Sequence, residues 1–288
     1  MYYRSFLFSV CVLICACDKI EYPVEKKNNV QGSTFIEKNN LNYSNAKKVL
    51  LEDYTGHTCG NCPPAAEIAE QLATTYGSSV VVLAVHAGFF SRIKLPDYPV
   101  TYTSTAGNDW DGNSGFGVSA VGNPNGMVNR KDFGGGRIQK ESNWSSLVNT
   151  ALKSPFLIKL DLFTSYDSTV RALNTRVKAT FKASYPNPTK LCLILYEDHI
   201  FGAQTDYRKS PDLVSNYEFN HVLRGSINGS WGSDLSTKAT SLGDTMSVST
   251  INFSIKPEYK DRHIVVVAIA YDAISREVLQ VDKLKIRD

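Results

Sequence analysis

Residues 57–63 read His-Thr-Cys-Gly-Asn-Cys-Pro, and this stretch decides the fold expected for the first half of the chain. It follows an apolar run typical of a buried strand, residues 49–51, and precedes apolar residues at helical spacing over residues 65–76. Two cysteines one helical turn apart lie within reach of a disulfide, and the free N–H groups and dipole at a helix start favour a thiolate. We therefore expect Cys59 in the first helical turn, with a lowered pKa, and a better shielded Cys62.

A second strand, residues 80–86, is predicted after the helix, so the chain forms a strand-helix-strand unit. Such units are right-handed, and their ligands bind at the carboxyl ends of the strands. This rule places His86, the last residue of the second strand, at the same edge of the sheet as Cys59.

The motif, the strand before it and an isolated later proline, Pro124, together resemble the thioredoxin fold. In that fold an aspartate six residues before the first cysteine transfers protons, which implies this role for Asp53. The resemblance also implies a cis peptide bond between Asn123 and Pro124 that faces the disulfide, where the free backbone binds an extended substrate. The alternative is a trans proline in a turn rich in glycine and asparagine.

A narrower resemblance, to the Omp28-type outer-membrane lipoproteins, rests on several stretches of sequence. They are residues 51–63, residues 121–126 with residues 128–130, and more weakly residues 220–224. The resemblance covers the N-terminal half well and the C-terminal half thinly. It implies a lipid-anchored protein of the outer membrane, on its periplasmic or its surface face. Thr58 and Glu67 depart from the oxidoreductase pattern, which commonly has a tryptophan and a helix-kinking proline at these places.

The N-terminus has the pattern of a lipoprotein signal peptide, residues 1–16, with an apolar run too short to span a bilayer. Residues 14–17, Ile-Cys-Ala-Cys, match the lipobox of bacterial lipoproteins. We therefore expect Cys17 to carry the lipid that attaches the protein to the membrane. An ordinary cleaved signal is the alternative. Residues 17–47 are polar and show no sustained period, so they are interpreted as a flexible tether.

The composition is that of an exported globular protein. A net charge of +3 without a basic block argues against nucleic acid as a partner. We expect no cofactor, since the lone glycine triplet at residues 134–136 is too little for a phosphate site. Of the six cysteines, two leave with the signal and one takes the lipid, so Cys59 and Cys62 form the expected disulfide. Cys192 lies in an apolar strand and is interpreted as a small buried hydrophobe, with a resolving thiol as the alternative.

Two folded domains are expected. An α/β thioredoxin-like domain spans residues 48–154, with an insertion at residues 88–117, and an all-β immunoglobulin-like sandwich spans residues 155–288. The division follows Ser154-Pro155, where helical periodicity gives way to the alternation typical of strands. The strands expected in the second domain are residues 156–163, 177–183, 191–196, 247–255, 263–271 and 277–286.

Two long segments have two interpretations each. The insertion carries aromatic residues among Gly, Asn, Asp and Pro, and it is either a wall beside the cysteines or a small subdomain with its own core. Residues 197–244 are too aromatic for solvated disorder. They either fold back over the cysteines and complete a groove, or form a hairpin extension that packs on its own sheet.

Three classes of function fit these features. In a thiol–disulfide oxidoreductase, the first cysteine reacts with a protein partner, the second resolves the mixed disulfide, and Asp53 or Glu52 accepts the proton. In a metal carrier, His57 and His86 join the two cysteines as ligands for copper or zinc. In a structural or adhesion lipoprotein, the disulfide is a permanent crosslink.

Overall fold

The computed structural model describes residues 46–287. The predicted signal peptide at residues 1–16, the predicted lipid attachment at Cys17 and all of the predicted tether except residues 46–47 lie outside the described residues. The described part is a mixed α/β structure in which strands predominate. Among its helices, none has the length and apolar character needed to cross a membrane.

The cysteine motif lies in a strand-helix-strand unit, as its spacing predicts. Strand β1 (Val49–Thr55) runs parallel to β2 (Val80–His86), and helix α1 (Cys62–Tyr76) connects them. Strand β3 (Asn125–Val128) pairs with β1 in the antiparallel direction. Further helices in this part of the chain are α2 (Thr105–Asp111), α3 (Val118–Val121) and α4 (Glu141–Leu152).

The rest of the described chain is rich in strands. They are β4 (Ile158–Asp167), β5 (Ala172–Phe181), β6 (Thr189–Glu197), β7 (Ile200–Thr205), β8 (Leu213–Phe219), β9 (Val222–Ser226), β10 (Ser233–Ser236), β11 (Thr245–Ser254), β12 (Ile264–Asp272) and β13 (Val278–Lys285). The strands predicted after residue 154 are all present close to their predicted positions. Strands β7 to β10 come from the long aromatic segment, where no alternation predicted them.

One sheet joins the two halves of the sequence. Its strand order is β13-β12-β6-β9-β2-β1-β3, and β10 pairs with β6 at its side. Strand β9 lies next to β2, where the backbone N–H of Ala84 donates to the carbonyl of His221 at 2.8 Å. Four strands that come after residue 154, β6, β9, β12 and β13, therefore extend the sheet of the first half. A domain boundary near residue 154 stays a prediction.

A second, smaller sheet covers part of the first. Its order is β11-β5-β4, with antiparallel pairing. Leu160 of β4 and Val177 of β5 pack in one buried cluster with Leu193 of β6 and Ala268 of β12. This is the face-to-face packing expected of a β-sandwich, but one of its two sheets is the sheet that also carries β1 and β2.

The alternation along β1 decides which side chains face helix α1. Leu51 packs with α1 and α4 on one face of the sheet, and Asp53, two residues further on, continues this face. Tyr54 packs in the core on the opposite face, and Glu52 points to that same side. Two adjacent acidic residues therefore enter different environments.

Candidate functional site

Cys59 and Cys62 form a disulfide with a Cα–Cα distance of 5.4 Å. The chain turns between them, and the backbone N–H of Cys62 donates to the carbonyl of Cys59 at 3.2 Å. Helix α1 begins at Cys62, with Asn61 at its N-cap position. The expectation that Cys59 lies in the first helical turn is therefore wrong, because the motif forms a turn of its own before the helix begins.

A hairpin from the second half of the chain covers this disulfide. Strands β7 and β8 pair with each other, and the end of β7 lies against the motif. The backbone N–H of Thr205 donates to the carbonyl of His57 at 2.9 Å. The backbone N–H of Tyr207 donates to the carbonyl of Gly60 at 3.0 Å. Of the two interpretations of residues 197–244, the structure has the one in which the segment folds back over the cysteines.

The hairpin buries both cysteines to the same extent, since Cys59 and Cys62 are each 2% exposed. The side-chain amide of Gln204 donates to the carbonyl of Cys59 at 3.0 Å. The ring of Tyr207 lies over Gly60, where an added Cβ would come within 2.5 Å of the ring. The expectation that Cys62 is better shielded than Cys59 is wrong, because both residues are buried to the same extent and the hairpin contacts the backbone of Cys59 and Gly60.

Asp53 lines a cavity of about 180 Å³ together with Cys62 and His86. Its side chain is buried, and its Oδ1 has no hydrogen-bond partner. Burial raises the pKa of Asp53 to about 7, and the negative charge of Glu141 adds to this effect. A carboxyl that titrates near neutral pH beside a cysteine is suited to accept and return a proton.

Glu52, the other acidic residue considered as a proton acceptor, is engaged elsewhere. Its Oε1 lies 2.7 Å from Nη2 of Arg130, and its Oε2 lies 3.0 Å from Nε. The guanidinium also lies over the indole ring of Trp110. Because Glu52 faces the opposite side of β1 and is bound by Arg130, the assignment of Glu52 as the proton acceptor is wrong.

His86 lies where the strand-edge rule predicts. His86 pairs with Thr55 at the carboxyl ends of β2 and β1, next to the motif. The rings of His57 and His86 are stacked with centroids 6.5 Å apart. Both rings also contact Tyr102 edge to face, so the pair sits in an aromatic environment.

Burial decides the charge of these histidines. It lowers the pKa of His57 below the ordinary value, and it lowers the pKa of His86 to about 3. Both imidazoles are therefore neutral at pH 7, and His57 adds no positive charge near Cys59. Within residues 46–287, no group of three or more His, Cys, Asp or Glu side chains is arranged to hold a metal ion. The metal-carrier interpretation has no ligand set among the described residues.

Asn123 and Pro124 are joined by a cis peptide bond, as the resemblance to the thioredoxin fold implies. Tyr54 pairs with Asn125 in the ladder between β1 and β3, so Pro124 lies at the carboxyl end of β1, where the motif's turn begins. Both polar atoms of the Asn123 side chain are buried without a hydrogen-bond partner. The role of these two residues in binding a substrate stays a prediction.

The insertion at residues 88–117 serves partly as a wall beside the motif and partly as core. The backbone N–H and the hydroxyl of Thr58 both donate to the carbonyl of Phe90, at 3.1 and 3.0 Å. The hydroxyl of Tyr98 bonds that of Thr205 at 2.6 Å and so links the insertion to the hairpin. Trp110 is fully buried in the core of the main sheet. The insertion therefore contributes a wall beside the motif, and Trp110 packs in the main core and not in a core of the insertion's own.

Cys192 is a free cysteine, fully buried in β6. Its Sγ lies 3.5 Å from the carbonyl of Ser230, and both residues are far from the cysteine motif in the sequence. Burial raises the pKa of Cys192 to about 12. The interpretation as a small buried hydrophobe is confirmed, and a buried thiol with this pKa is unsuited to resolve a disulfide.

Sequence reasoning missed the residues of the hairpin that touch the motif and helix α1. Arg208 is one of them, since its guanidinium donates twice to the carboxylate of Glu67, at 2.9 and 2.7 Å. Contacts between residues 141 positions apart leave no local pattern. Gly202 is another point of close approach between the hairpin and the insertion, because an added Cβ there would lie 2.0 Å from the Tyr102 hydroxyl.

Residues 113–288, more than half of the 288-residue chain, match the model of the family described as outer membrane protein Omp28. The chain belongs to the Omp28 family. The family is described as an outer membrane protein, so this Omp28 protein is located in the outer membrane of the cell envelope. We expected the resemblance to be stronger in the N-terminal half. That expectation is wrong, because the match lies mainly in the C-terminal half and does not include Cys59 and Cys62.

Several solved structures are similar to this Omp28 protein. HBP35 of Porphyromonas gingivalis matches with a TM-score of 0.59 and 14% identity, over 84% of this chain and 76% of that chain. A protein of Agrobacterium tumefaciens matches with a TM-score of 0.52 and 14% identity, over 84% and 96%. An Omp28 lipoprotein domain from Porphyromonas gingivalis has a TM-score of 0.30 at 17% identity, over 47% and 93%. The first two show a shared fold. Comparison with curated protein sequences gave no match.

Proposed function

We propose that this Omp28 protein exchanges thiols and disulfides with other proteins of the cell envelope through Cys59 and Cys62. The observation that carries the proposal is the buried carboxyl of Asp53, which lines the same cavity as Cys62 and has an oxygen without a hydrogen-bond partner. Burying such a group costs free energy, and a permanent crosslink gains nothing from it. A proton-accepting role accounts for its position.

The proposed chemistry in the reducing direction has two steps. The Cys59 thiolate attacks a disulfide of the partner, so that a mixed disulfide forms and one partner thiolate leaves. Cys62 then gives its proton to the Asp53 carboxylate and attacks the Cys59 sulfur. The Cys59–Cys62 disulfide is restored and the partner leaves as a dithiol, with protons taken from Asp53 and solvent. Oxidation of a partner dithiol reverses each step.

The finer fold assignment belongs to the same proposal. A thioredoxin-like fold for residues 48–154 is supported by the parallel unit of β1, α1 and β2, by the cis bond before Pro124 and by the place of Asp53 on the face toward α1. An immunoglobulin-like sandwich for residues 155–288 is supported by the packing of β4 and β5 on β6 and β12. Asn123 and Pro124 are the proposed substrate-binding residues.

A second candidate function, that of a structural lipoprotein with a permanent disulfide, is favoured by a different observation. Both cysteines are 2% exposed beneath the hairpin. Exchange requires a thiolate to reach one sulfur of the bond, and the hairpin blocks that approach in this conformation. The two candidates therefore differ in whether the cover opens.

Trapping in cells separates the two candidates. In a Cys192→Ala background, Cys62→Ala should accumulate a mixed disulfide with a partner through Cys59, visible as a reductant-sensitive band of higher mass. Cys59→Ala should accumulate none, since Cys62 acts only after Cys59 has reacted. Absence of such a band from both variants, together with a native disulfide that resists glutathione, would leave the structural function.

Attachment of the protein through a lipid on Cys17 is proposed from the lipobox of residues 14–17, outside the described residues. Cys17→Ser should move the protein from the detergent phase to the aqueous phase, and fractionation of whole cells measures this. A variant that keeps its place in the membrane after removal of its signal peptide would argue for a different attachment.

A further inference from the structure

The hairpin over the disulfide has two matched junctions with the main sheet. Strands β7 and β8 form a two-stranded sheet of their own, whereas β6 and β9, on either side in sequence, belong to the main sheet. At the junctions, His199 and His221 have left-handed backbones with φ of 56° and 58°. The backbone N–H of His199 donates a hydrogen bond to the Asn220 side chain at 2.9 Å, and that of His221 donates one to the Asp198 side chain at 2.8 Å. Such conformations are uncommon outside glycine and concentrate in switch regions, so these junctions have the character of hinges.

The hairpin contacts the motif through two backbone N–H groups, one at the end of β7 and one in the turn that follows it. Thr205 and Tyr207 are two residues apart, and their N–H groups bond the carbonyls of His57 and Gly60. An extended strand presents alternate N–H groups to one side in this way. An extended polypeptide segment can therefore replace the hairpin and make the same two bonds.

A cavity of about 380 Å³ lies beside this contact. Its lining includes His57, Tyr98, Val100, Tyr102 and Phe201. Val100 and Phe201 are 55% and 50% exposed, so the cavity has an apolar mouth that is open to solvent. A cavity with this lining fits an apolar or aromatic side chain.

Ion pairs close the hairpin at its tip and at its base. At the tip, Arg208 holds Glu67 of helix α1 in a bidentate pair in which both side chains are largely exposed. At the base, Nε2 of His221 lies 3.0 Å from the carboxylate of Glu70, also on α1. The pair at the tip is exposed to solvent and therefore weak, so it holds the hairpin in place without preventing it from opening.

From these observations we propose that residues 200–219 are a hinged cover, and that the groove beneath them is the docking site for an extended partner segment with an apolar side chain. Residues 204–207 of the chain itself fill the groove when the cover is closed. Entry of the partner segment turns the hairpin about His199 and His221 and exposes the Cys59 sulfur. This inference rests on the proposed exchange function and adds the class of substrate and its regulation.

Hydrogen exchange at the amides of Thr205 and Tyr207 measures opening without any cysteine chemistry. Arg208→Ala removes the pair at the tip, and Lys190→Ala is the matched control, since Lys190 forms an exposed pair with Asp234 on β6 and β10. In the full-length protein we expect exchange of residues 204–207 to be roughly fivefold faster in Arg208→Ala and unchanged in Lys190→Ala. Equal rates of amide exchange in wild type and Arg208→Ala would contradict the proposal that the hairpin is a hinged cover.

A second measurement tests the docking site itself. Two synthetic extended peptides, each with one thiol, differ in a single residue that is phenylalanine in one and alanine in the other. We expect the phenylalanine peptide to attack the disulfide faster, and we expect Val100→Ser, a change outside the hairpin, to abolish this preference while the alanine peptide reacts at an unchanged rate. Equal rates for the two peptides on the wild-type protein overturn the docking site.

Failure of the cover and failure of the exchange function give different results. Arg208→Ala could speed both amide exchange and the reduction of the Cys59–Cys62 disulfide by a phosphine while no partner is trapped in cells through Cys59. That result would support the hinged cover and contradict the exchange function. If a partner is trapped but Arg208→Ala changes neither the amide exchange rate nor the rate of disulfide reduction, the result would support the exchange function and contradict the hinged cover.

Discussion

Arg130 and Glu52 form an ion pair in the interior of the protein, with Nη2 2.7 Å from Oε1 and side chains that are 1% and 0% exposed. The guanidinium also lies 4.5 Å from the ring centroid of Trp110 and 5.9 Å from that of Tyr271. Two charges buried this deeply depend on each other, because the loss of one leaves the other without a partner or water.

Arg130→Met should lower the free energy of unfolding by roughly 3–5 kcal/mol, since the Glu52 carboxylate would stay buried and unpaired. Chemical denaturation measures the change. The double variant Arg130→Met with Glu52→Leu removes both charges and should be more stable than the single variant. A double variant that is the less stable of the two would contradict the reasoning.

Asp53→Asn should stabilise the protein at about pH 8 and have little effect near pH 4. Burial raises the pKa of Asp53 from 3.8 to about 7, so the folded protein binds more protons than the unfolded chain between these values. Stability therefore falls as the pH rises through this window, and above pH 7 the cost is on the order of 4 kcal/mol.

The wild-type curve alone does not isolate this effect. The pKa of His86 is lowered to about 3 by burial, so its contribution to stability is lost as the pH falls through the same region, with the opposite slope. The difference between the unfolding free energies of wild type and Asp53→Asn, measured from acid to alkaline pH, removes the His86 contribution. A difference that does not change with pH would mean that Asp53 titrates normally.

Cys192 should resist alkylation in the folded protein. Its side chain is fully buried and its pKa is raised to about 12, so the reactive thiolate is nearly absent at neutral pH. Iodoacetamide followed by mass spectrometry should label Cys192 in urea and leave it unlabelled in buffer. Comparable labelling in both conditions would show that β6 opens under native conditions.

His221 should make closure of the hairpin depend on pH. Burial disfavours the charged imidazole, but the carboxylates of Asp198 and Glu70 outweigh this and raise the pKa of His221. Lys283 and the ring of Tyr196 also face the imidazole. Because the folded pKa is raised, the pairing is complete below the ordinary value of about 6.5 and is lost as the pH rises through the folded pKa.

The test compares wild type with His221→Asn, since asparagine tolerates the left-handed backbone at this position. Reduction of the disulfide by a phosphine should be slower in wild type than in the variant near pH 6, and the two rates should converge in alkaline solution. Using the ratio of the two rates cancels the pH dependence of the reagent. A ratio that is constant with pH would rule out His221 as a contributor to closure.

Gly126→Ala should destabilise the protein by roughly 1–3 kcal/mol or more, because β3 has no room for a side chain there. An added Cβ would lie 2.5 Å from the carbonyl oxygen of Glu52 and 2.7 Å from the ring of Trp144. The matched control is Gly135→Ala, where the nearest atom is 3.7 Å away in the side chain of Gln139. Thermal unfolding of both variants measures the difference, and similar midpoints would contradict the packing argument.

The elements around the cysteine motif could be predicted because each depends on local pattern. Strand β1, helix α1 and the edge position of His86 follow from periodicity and from the rule for parallel strands. The cis bond before Pro124 and the burial of Asp53 follow from the resemblance. The hydrogen bond from Tyr207 to Gly60 could not be predicted, since it joins segments that no local pattern connects.

The roles of Glu52 and Asp53 could be predicted from the sequence only in part. Alternation along a strand places them on opposite faces, but choosing the face toward α1 requires knowing that Arg130 meets Glu52. Strand order is a similar case. Sequence patterns located β6, β12 and β13 but contain no information on which strand of the first half they would join, so a separate sandwich was the simpler expectation.

The position of β9 between β2 and β6 has a consequence for the export of the protein. A secreted chain crosses the inner membrane from its N-terminus, so residues 80–86 emerge long before residues 222–226, which complete the sheet beside them. Until then β2, with the sequence VVVLAVH, is an apolar strand with an unpaired edge, and such edges recruit other chains. The partly translocated protein is therefore prone to aggregate until residues 222–226 have crossed the membrane. A chain truncated before residue 222 should stay prone to aggregate, because it lacks β9.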